Sequence, residues 1–204
     1  MHGFWKLPLR LVFKCAFMKS LITLTLAALL LPGLIFAQSR NIDTEVIPDF
    51  NLSKYLGTWY EIARFDHSFE RNMDNVTAEY VLRPDGKVDV INSGWRNGLF
   101  KVANGKAKQP DPVTSPAHLM VSFFLFFYSD YNILMLDDDY QVSLVGSSSP
   151  DYLWILSRTP FIEDDTTLNA IIMEAQRRGY DTSRLIWVDQ DINIEYEEAE
   201  NSFR

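Results

Sequence analysis

His67 and His118, the run Asp137-Asp138-Asp139 and the lone Cys15 are the side chains of this sequence whose chemistry would matter most. A histidine base needs a nucleophile or a metal partner at a fixed offset, and neither Gly-x-Ser-x-Gly nor His-Glu-x-x-His occurs. His67 follows a strand-like run and reads as a solvated rim residue. The three aspartates invite calcium, but the spaced ligands and distal glutamate of a calcium loop are missing, so they read as a solvated turn. Asn51-Leu52-Ser53 and Asn75-Val76-Thr77 fit the glycosylation pattern, which is short enough to arise by chance. No catalytic constellation and no metal site follow from these residues.

The beginning of the chain has a different character. After Met18 and Lys19, the stretch from Leu21 to Ala37 is almost wholly apolar, and Ala37-Gln38 offers a cut. This is the pattern of a secretory signal peptide, with an uncleaved membrane anchor as the alternative. Residues 1–17, with Lys6, Arg10 and Lys14, extend its basic start or precede the true one. Cys15 lies before the apolar run, on the wrong side for a bacterial lipid attachment, so no lipoprotein anchor is expected. Without residues 1–37 the chain has no thiol, which removes disulfides, cysteine–metal sites and cysteine nucleophiles together. It also keeps 15 basic residues against 27 acidic ones, a net charge of −12. A field of that sign repels phosphate backbones and anionic membrane surfaces, and nucleic acid is not an expected partner.

The elements that must position any site are short strands. Residues 38–49 read as a flexible lead-in ending near Pro48. Strand-like runs follow at 58–65, 76–82, 88–93, 100–108, 118–124, 131–136, 141–146 and 152–157. Pro84-Asp85-Gly86 and the run from Ser147 to Asp151 supply turns. The period changes once. Asp164 and Asp165 cap a helix carrying Leu168, Ile171, Ile172 and Ala175, and Arg177, Arg178 and Gly179 close it. Residues 185–188 form a last strand, and residues 191–204 an acidic tail expected to be disordered. The fold class is all-β: an eight-stranded antiparallel up-and-down barrel with one helix packed outside and a short final strand, spanning residues 50–190.

Within that frame three motifs gain meaning. Gly57-Thr58-Trp59 opens the first strand, Ser129-Asp130-Tyr131 begins the sixth, and Ser157-Arg158-Thr159-Pro160 ends the eighth. In this order and spacing the chain resembles the lipocalins, and within them the bacterial members related to apolipoprotein D. The second motif has serine where the family usually has threonine. Leu125-Phe126-Phe127-Tyr128 stands where that subgroup typically has Gly-Pro-Phe-Tyr.

The resemblance implies a barrel floor made by Gly57, Trp59 and Arg158, with the guanidinium lying across the indole. Strand parity turns Glu61, Ala63 and Phe65 inward with Trp59. The resemblance adds Tyr152, Trp154 and Leu156 from the eighth strand, and Tyr131, Ile133 and Met135 from the sixth. The expected ligand-binding residues are Trp154, Tyr128, Tyr152, Met135, Ala63 and Tyr131, lining an apolar channel with polar groups near its mouth. The same aromatics would equally fill a closed core. The implied function is an exported, periplasmic carrier or store of fatty acids or lysophospholipids at the cell envelope, associated with the outer membrane, and not an enzyme. No cofactor is expected. The alternatives are a haem or tetrapyrrole binder using His67 or His118, and a lipocalin-type isomerase, whose best-known example uses a cysteine. Phe123 to Tyr128 cannot all point inward, which leaves open contact with outer-membrane lipid, a homodimer, or packing against a neighbouring element.

Overall fold

The computed structural model describes residues 41–193. The leader, its cut and most of the acidic tail lie outside those residues. A one-turn helix, α1 (Leu52–Tyr55), comes first, with the Asn51 side chain accepting from the Ser53 N–H at 2.9 Å as its N-cap. Eight strands follow: β1 (Gly57–Arg64), β2 (Met73–Leu82), β3 (Val88–Arg96), β4 (Leu99–Lys108), β5 (His118–Phe124), β6 (Phe127–Leu136), β7 (Val142–Gly146) and β8 (Leu153–Ser157). Each pairs antiparallel with its successor, and β1 pairs with both β8 and β2, so the sheet closes into the expected barrel. Closure leaves no open run of unpaired backbone at the seam.

Loops alternate between the two ends. The turns after β2, β4 and β6 lie at the end where β1 begins. Those after β1, β3, β5 and β7 lie at the other end, the mouth. The β3–β4 turn, Asn97-Gly98, holds both residues at positive φ, 52° and 73°, as a two-residue hairpin requires.

The outer layer depends on the helix. Asp164 accepts from the Thr166 and Thr167 N–H groups at 3.0 and 3.1 Å and starts α2 (Asp165–Arg177); Gly179, at φ 91°, follows its end. Ile171 and Ala175 of α2 are fully buried with Leu134, Leu144, Leu153 and Ile155, the outward residues of β6 to β8. A 3₁₀ turn (Thr182–Arg184) then leads to β9 (Ile186–Trp187), which pairs with Ala63 and Arg64. This is the extra strand expected after the helix.

Two bulges change which residues face inward. In the β1–β8 ladder Glu61 faces Leu156 but Ala63 faces Ile155, so Ile62 is one residue too many. Inward parity therefore passes from Trp59 and Glu61 to Arg64, and Ala63 and Phe65 turn outward beneath α2. A second register shift, between Ile133 and Met135 of β6, sends Met135 to the same outer layer. Period-two alternation had placed Ala63 and Phe65 inside, and the family resemblance had placed Met135 there.

The expected lead-in is also more engaged than a flexible segment would be. The Asp43 and Ile47 N–H groups donate to Arg178 and Ile133 carbonyls at 2.9 and 3.1 Å, and Val46, Ile47 and Phe50 pack on the core. The buried Arg178 fastens this strap, donating to Glu45 O at 2.6 Å and to Leu134 O at 2.8 Å. After β9, Gln190 donates to the Glu61 and Val76 carbonyls, and the Ile192 N–H donates to Asn75, so the tail begins docked. Among the described residues no helix is long and apolar enough to cross a membrane.

Candidate ligand-binding site

The barrel floor is a built plug. Gly57 turns the chain at φ 90°, where a side chain would be strained, and brings Trp59 under the barrel axis. The indole N–H donates to Tyr55 O at 2.8 Å, and the Arg158 guanidinium lies 3.9 Å from the ring centroid. Arg158 also donates to four carbonyls: Lys54 and Leu56 at 2.9 Å, Thr58 at 2.7 Å and Tyr140 at 3.2 Å. Two of these belong to the end of α1, whose last carbonyls have no partner within the helix.

Above the floor the lower barrel is filled. Trp59, Tyr55, Val88, Leu119, Ile133 and Leu156 are all buried there. Tyr131, expected on the ligand, does face inward, but its hydroxyl is shared with those of Tyr55 and Tyr80, each at 2.8 Å. Burial pushes the Tyr55 hydroxyl up to about 12, so the trio acts as hydrogen-bonding phenols.

A charged tier lies over these hydroxyls. Arg64 Nη1 donates to Glu61 Oε1 at 2.6 Å, and its Nη2 reaches the Glu70 and Met73 carbonyls. Trp154 Nε1 donates to Glu70 Oε2 at 3.1 Å. Glu61, Arg64 and Glu70 are all buried. Burial, then the charge of Glu70, pushes the Glu61 carboxyl up to about 8 against the pull of Arg64, and burial raises Glu70 as well. Among the described residues five buried side-chain polar atoms lack a partner. Four belong to Arg64, His67, Asn92 and Arg96, which cluster at this tier and the mouth above it. Asn92 sits between Ala78 and Ala103 in the ladder, and Gly94 and Gly105 flank it on the inward face, so this wall is low. Unpartnered polar atoms beside small side chains are what a ligand's polar group would satisfy.

The mouth is aromatic. His67 is only 5% exposed, not solvated as its position after a strand suggested. Its ring stacks on Tyr152 at 4.6 Å and on Phe69 at 5.3 Å, and Trp154 tilts against it at 4.9 Å. Burial, and Arg64 nearby, depress its pKa to about 4, so it is neutral at neutral pH. Across the opening the Phe123 ring lies on Gly105, where an added Cβ would come within 2.7 Å of it.

The structure thus brings together Trp154, Tyr152 and, lower down, Tyr131. It separates the other three expected residues. Ala63 and Met135 lie in the layer under α2. Tyr128 faces outward beneath two lysines, with Lys108 Nζ 4.5 Å and Lys106 Nζ 5.8 Å from its ring centroid. Arg64 ends β1 and Glu70 lies in the turn after it, so the polar tier extends from Glu61 toward the mouth; Arg64 and Glu70 were not foreseen. One sequence signal pointed to them: charges at Glu61 and Arg64, three apart in a strand of period two, can share a face only across a bulge. His118 stands on the outer wall, its Nε2 3.0 Å from Asp130 Oδ1, at a cleft of about 430 Å³ under the strap. It cannot ligate anything held inside the barrel.

Comparison with known proteins agrees with this architecture. The model of the lipocalin-like domain matches residues 50–190. The outer membrane lipoprotein Blc of Escherichia coli K12 is 48% identical over 147 residues, covering 71% of this chain and 82% of that protein. Temperature-induced lipocalin-1 of Arabidopsis thaliana is 38% identical, covering 70% of this chain and 81% of its own length. Bovine apolipoprotein D is 36% identical over 58% of this chain and 66% of its own. Among solved structures, insecticyanin of the tobacco hornworm Manduca sexta matches with a TM-score of 0.61 at 23% identity, covering 72% of this chain and 84% of that one; this is a likeness of fold alone. The bacterial relative is named a lipoprotein, which stands against the absence of a lipid anchor expected from Cys15; that expectation concerns residues outside those described. Closed barrel, plugged floor, outer helix and these matches together make the chain a member of the lipocalin family, in the bacterial outer-membrane group related to apolipoprotein D.

Proposed function

We propose that this lipocalin binds a single-chain lipid, a fatty acid or lysophospholipid, in the upper half of its barrel and carries or stores it at the bacterial cell envelope. The observation behind this reading is the set of inward groups above the tyrosine hydroxyls: unpartnered polar atoms on Arg64, Asn92 and His67, the carboxyls of Glu61 and Glu70, an aromatic mouth and the small side chains of Ala78, Gly94 and Ala103. From Asn92 to Arg96 the strand rises ~13 Å, so an acyl chain is only partly enclosed. At ~0.8 kcal/mol per buried methylene, ten methylenes contribute about 8 kcal/mol before entropic losses, enough for micromolar binding. The protein acts by burial, as a binder and not an enzyme, exported to the periplasmic side. The envelope membrane is its second partner.

Native mass spectrometry of the protein isolated from its own envelope tests the ligand class. We expect a co-purifying acyl lipid and displacement of a fluorescent fatty acid, with displacement at least tenfold weaker in Trp154→Ala while the barrel stays folded. Empty protein that also fails to bind the probe would overturn the reading. Neutral His67, with Nε2 unpartnered at the mouth, supports one other ligand class, a haem or tetrapyrrole. Absorbance in the Soret region decides between them.

A further inference from the structure

The upper wall of the barrel has a seam. The β1–β2 ladder runs from Gly57–Tyr80 to Tyr60–Thr77 and stops there. Just beyond, both strands are irregular: Ile62 is the bulge of β1, and β2 shifts register between Asp74 and Thr77, where Asn75 holds φ at 52°. Bulges bend strands, and these two lead β1 and β2 apart over the three steps from Glu61 to Arg64, roughly 10 Å of wall. Residues 186–193 fill the gap.

The filling is held in an unusual way for a barrel wall. On the β1 side, β9 pairs with Ala63 and Arg64, and the Val188 N–H donates to Ile62 O at 3.0 Å. On the β2 side, the Asn75 N–H donates to Asp189 O at 2.6 Å, and the Ile192 N–H donates to the Asn75 side chain at 2.9 Å. Between them a single side-chain nitrogen, Gln190 Nε2, donates to Glu61 O at 2.8 Å and to Val76 O at 3.0 Å, in the place of a ladder rung. Of residues 186–193, Gln190 is the buried one. Ile186 and Trp187 are 41% and 52% exposed. The outer helix, by contrast, is anchored by the fully buried Ile171 and Ala175. Hydrogen bonds hold the seam almost alone, so lifting the segment uncovers little apolar surface.

Behind the seam lies the charged tier. Glu61 and Arg64 form the β1 edge of the gap, and Met73 and Val76 lie at its β2 edge, over the inward face of Gly94. With the segment lifted, β1 and β2 stand about two strand spacings apart, ~10 Å, the space a polypeptide strand now occupies. A single acyl chain is narrower than that strand. The mouth is more crowded: Phe69, His67 and Tyr152 stack there, and Phe123 lies on Gly105.

We propose that residues 188–193 form a side door: the segment swings out on β9, and a single-chain lipid enters and leaves through the gap between β1 and β2. The route rests on the lipid-carrier reading; the opening of the segment does not.

Hydrogen exchange, read residue by residue on the full chain, tests the opening without any ligand. The Asn75, Val188 and Ile192 amides should exchange about a hundredfold faster than those of the β1–β2 ladder below, and faster again in Gln190→Ala. Stopped-flow binding of a fluorescent fatty acid tests the route. A door scales entry and exit alike, so Gln190→Ala should raise both rates about tenfold and hold Kd within about twofold. Asn75 and Asp189, bonded backbone to backbone, also allow a lock. Asn75→Cys with Asp189→Cys, in a Cys15→Ser chain, should bind and release the probe about tenfold slower when oxidised than after reduction. Where that disulfide does not form, the Gln190→Ala rates decide. Seam amides as protected as the ladder would overturn the proposal. So would equal rates in the oxidised and reduced double cysteine, which put the route at the mouth. Faster release from Gln190→Ala with association unchanged would overturn it too, because that is the mark of a lost ligand contact. Wild type that opens by exchange yet never binds the probe would retire the carrier reading, and the route with it, while the opening stands.

Discussion

Replacing Arg158 with lysine keeps the positive charge at the floor and removes the planar fork, so its effect measures how much of the floor depends on shape. Arg158 donates to four carbonyls and covers Trp59. The bonds to Leu56 and Tyr140 are partly buried and contribute on the order of 1 kcal/mol each; those to Lys54 and Thr58 are open to water and contribute about half that. The desolvated cation–π contact adds about 1–2 kcal/mol. Lysine, with one flexible ammonium, recovers about one of the bonds. The net loss is therefore about 3 kcal/mol, which for a domain of this size lowers the melting temperature by roughly 6–12 °C. Thermal unfolding followed by circular dichroism gives the number. Tryptophan fluorescence should shift to the red as water reaches the Trp59 ring. A lysine variant melting within about 2 °C of wild type, with unchanged fluorescence, would refute the assignment of the floor's stability to the guanidinium fork.

Two further outcomes follow from the interior and the outer layer. Glu61 has a folded pKa of about 8, above its ordinary 4.5, so its contribution to stability is complete below about pH 4.5 and is lost as pH rises through about 8. His67, depressed to about 4, acts in the opposite direction: its contribution is present above about pH 6.5 and is lost as pH falls through about 4. Between about pH 6.5 and 8 His67 no longer contributes a slope, so melting temperatures there report the buried carboxyls of the tier, and Glu61→Gln should reduce the fall that wild type shows; an identical slope in both proteins would show that Glu61 does not titrate in this range. Ala63→Leu should cost about 1–3 kcal/mol by overfilling the layer under α2, with fatty-acid affinity unchanged, because Ala63 faces away from the chamber. Weakened ligand binding with unchanged stability would return Ala63 to the interior.

Much of this protein could be read from the order of its residues. The hairpin spacing, Asp164 and Gly179 around the helix, and Trp59 with Arg158 at opposite ends of the meander are local or paired signals, and each matches an element the chain forms. Their physics is short-range: turns need particular φ values, a helix needs caps, and a strand with one buried face alternates. The site was less legible. Bulges at Ile62 and before Met135 depend on how the neighbouring strands pair, and no local preference of β1 or β6 records them. They exchange Ala63 for Arg64 on the inner wall, and they put Met135 under the helix.

The same division holds for the polar tier and the rim. Glu61, Arg64 and Glu70 are ordinary charged residues until closure of the barrel removes them from water and sets the Arg64 guanidinium 2.6 Å from Glu61 and 2.9 Å from the Glu70 carbonyl. Leu125 and its neighbours are an apolar run until hairpin pairing turns them out to solvent. The sequence by itself determined the container, because period, caps and turns act within a few residues. The tertiary structure alone decided what the container presents inside and at its rim, because register and burial are properties of strands meeting across the sheet.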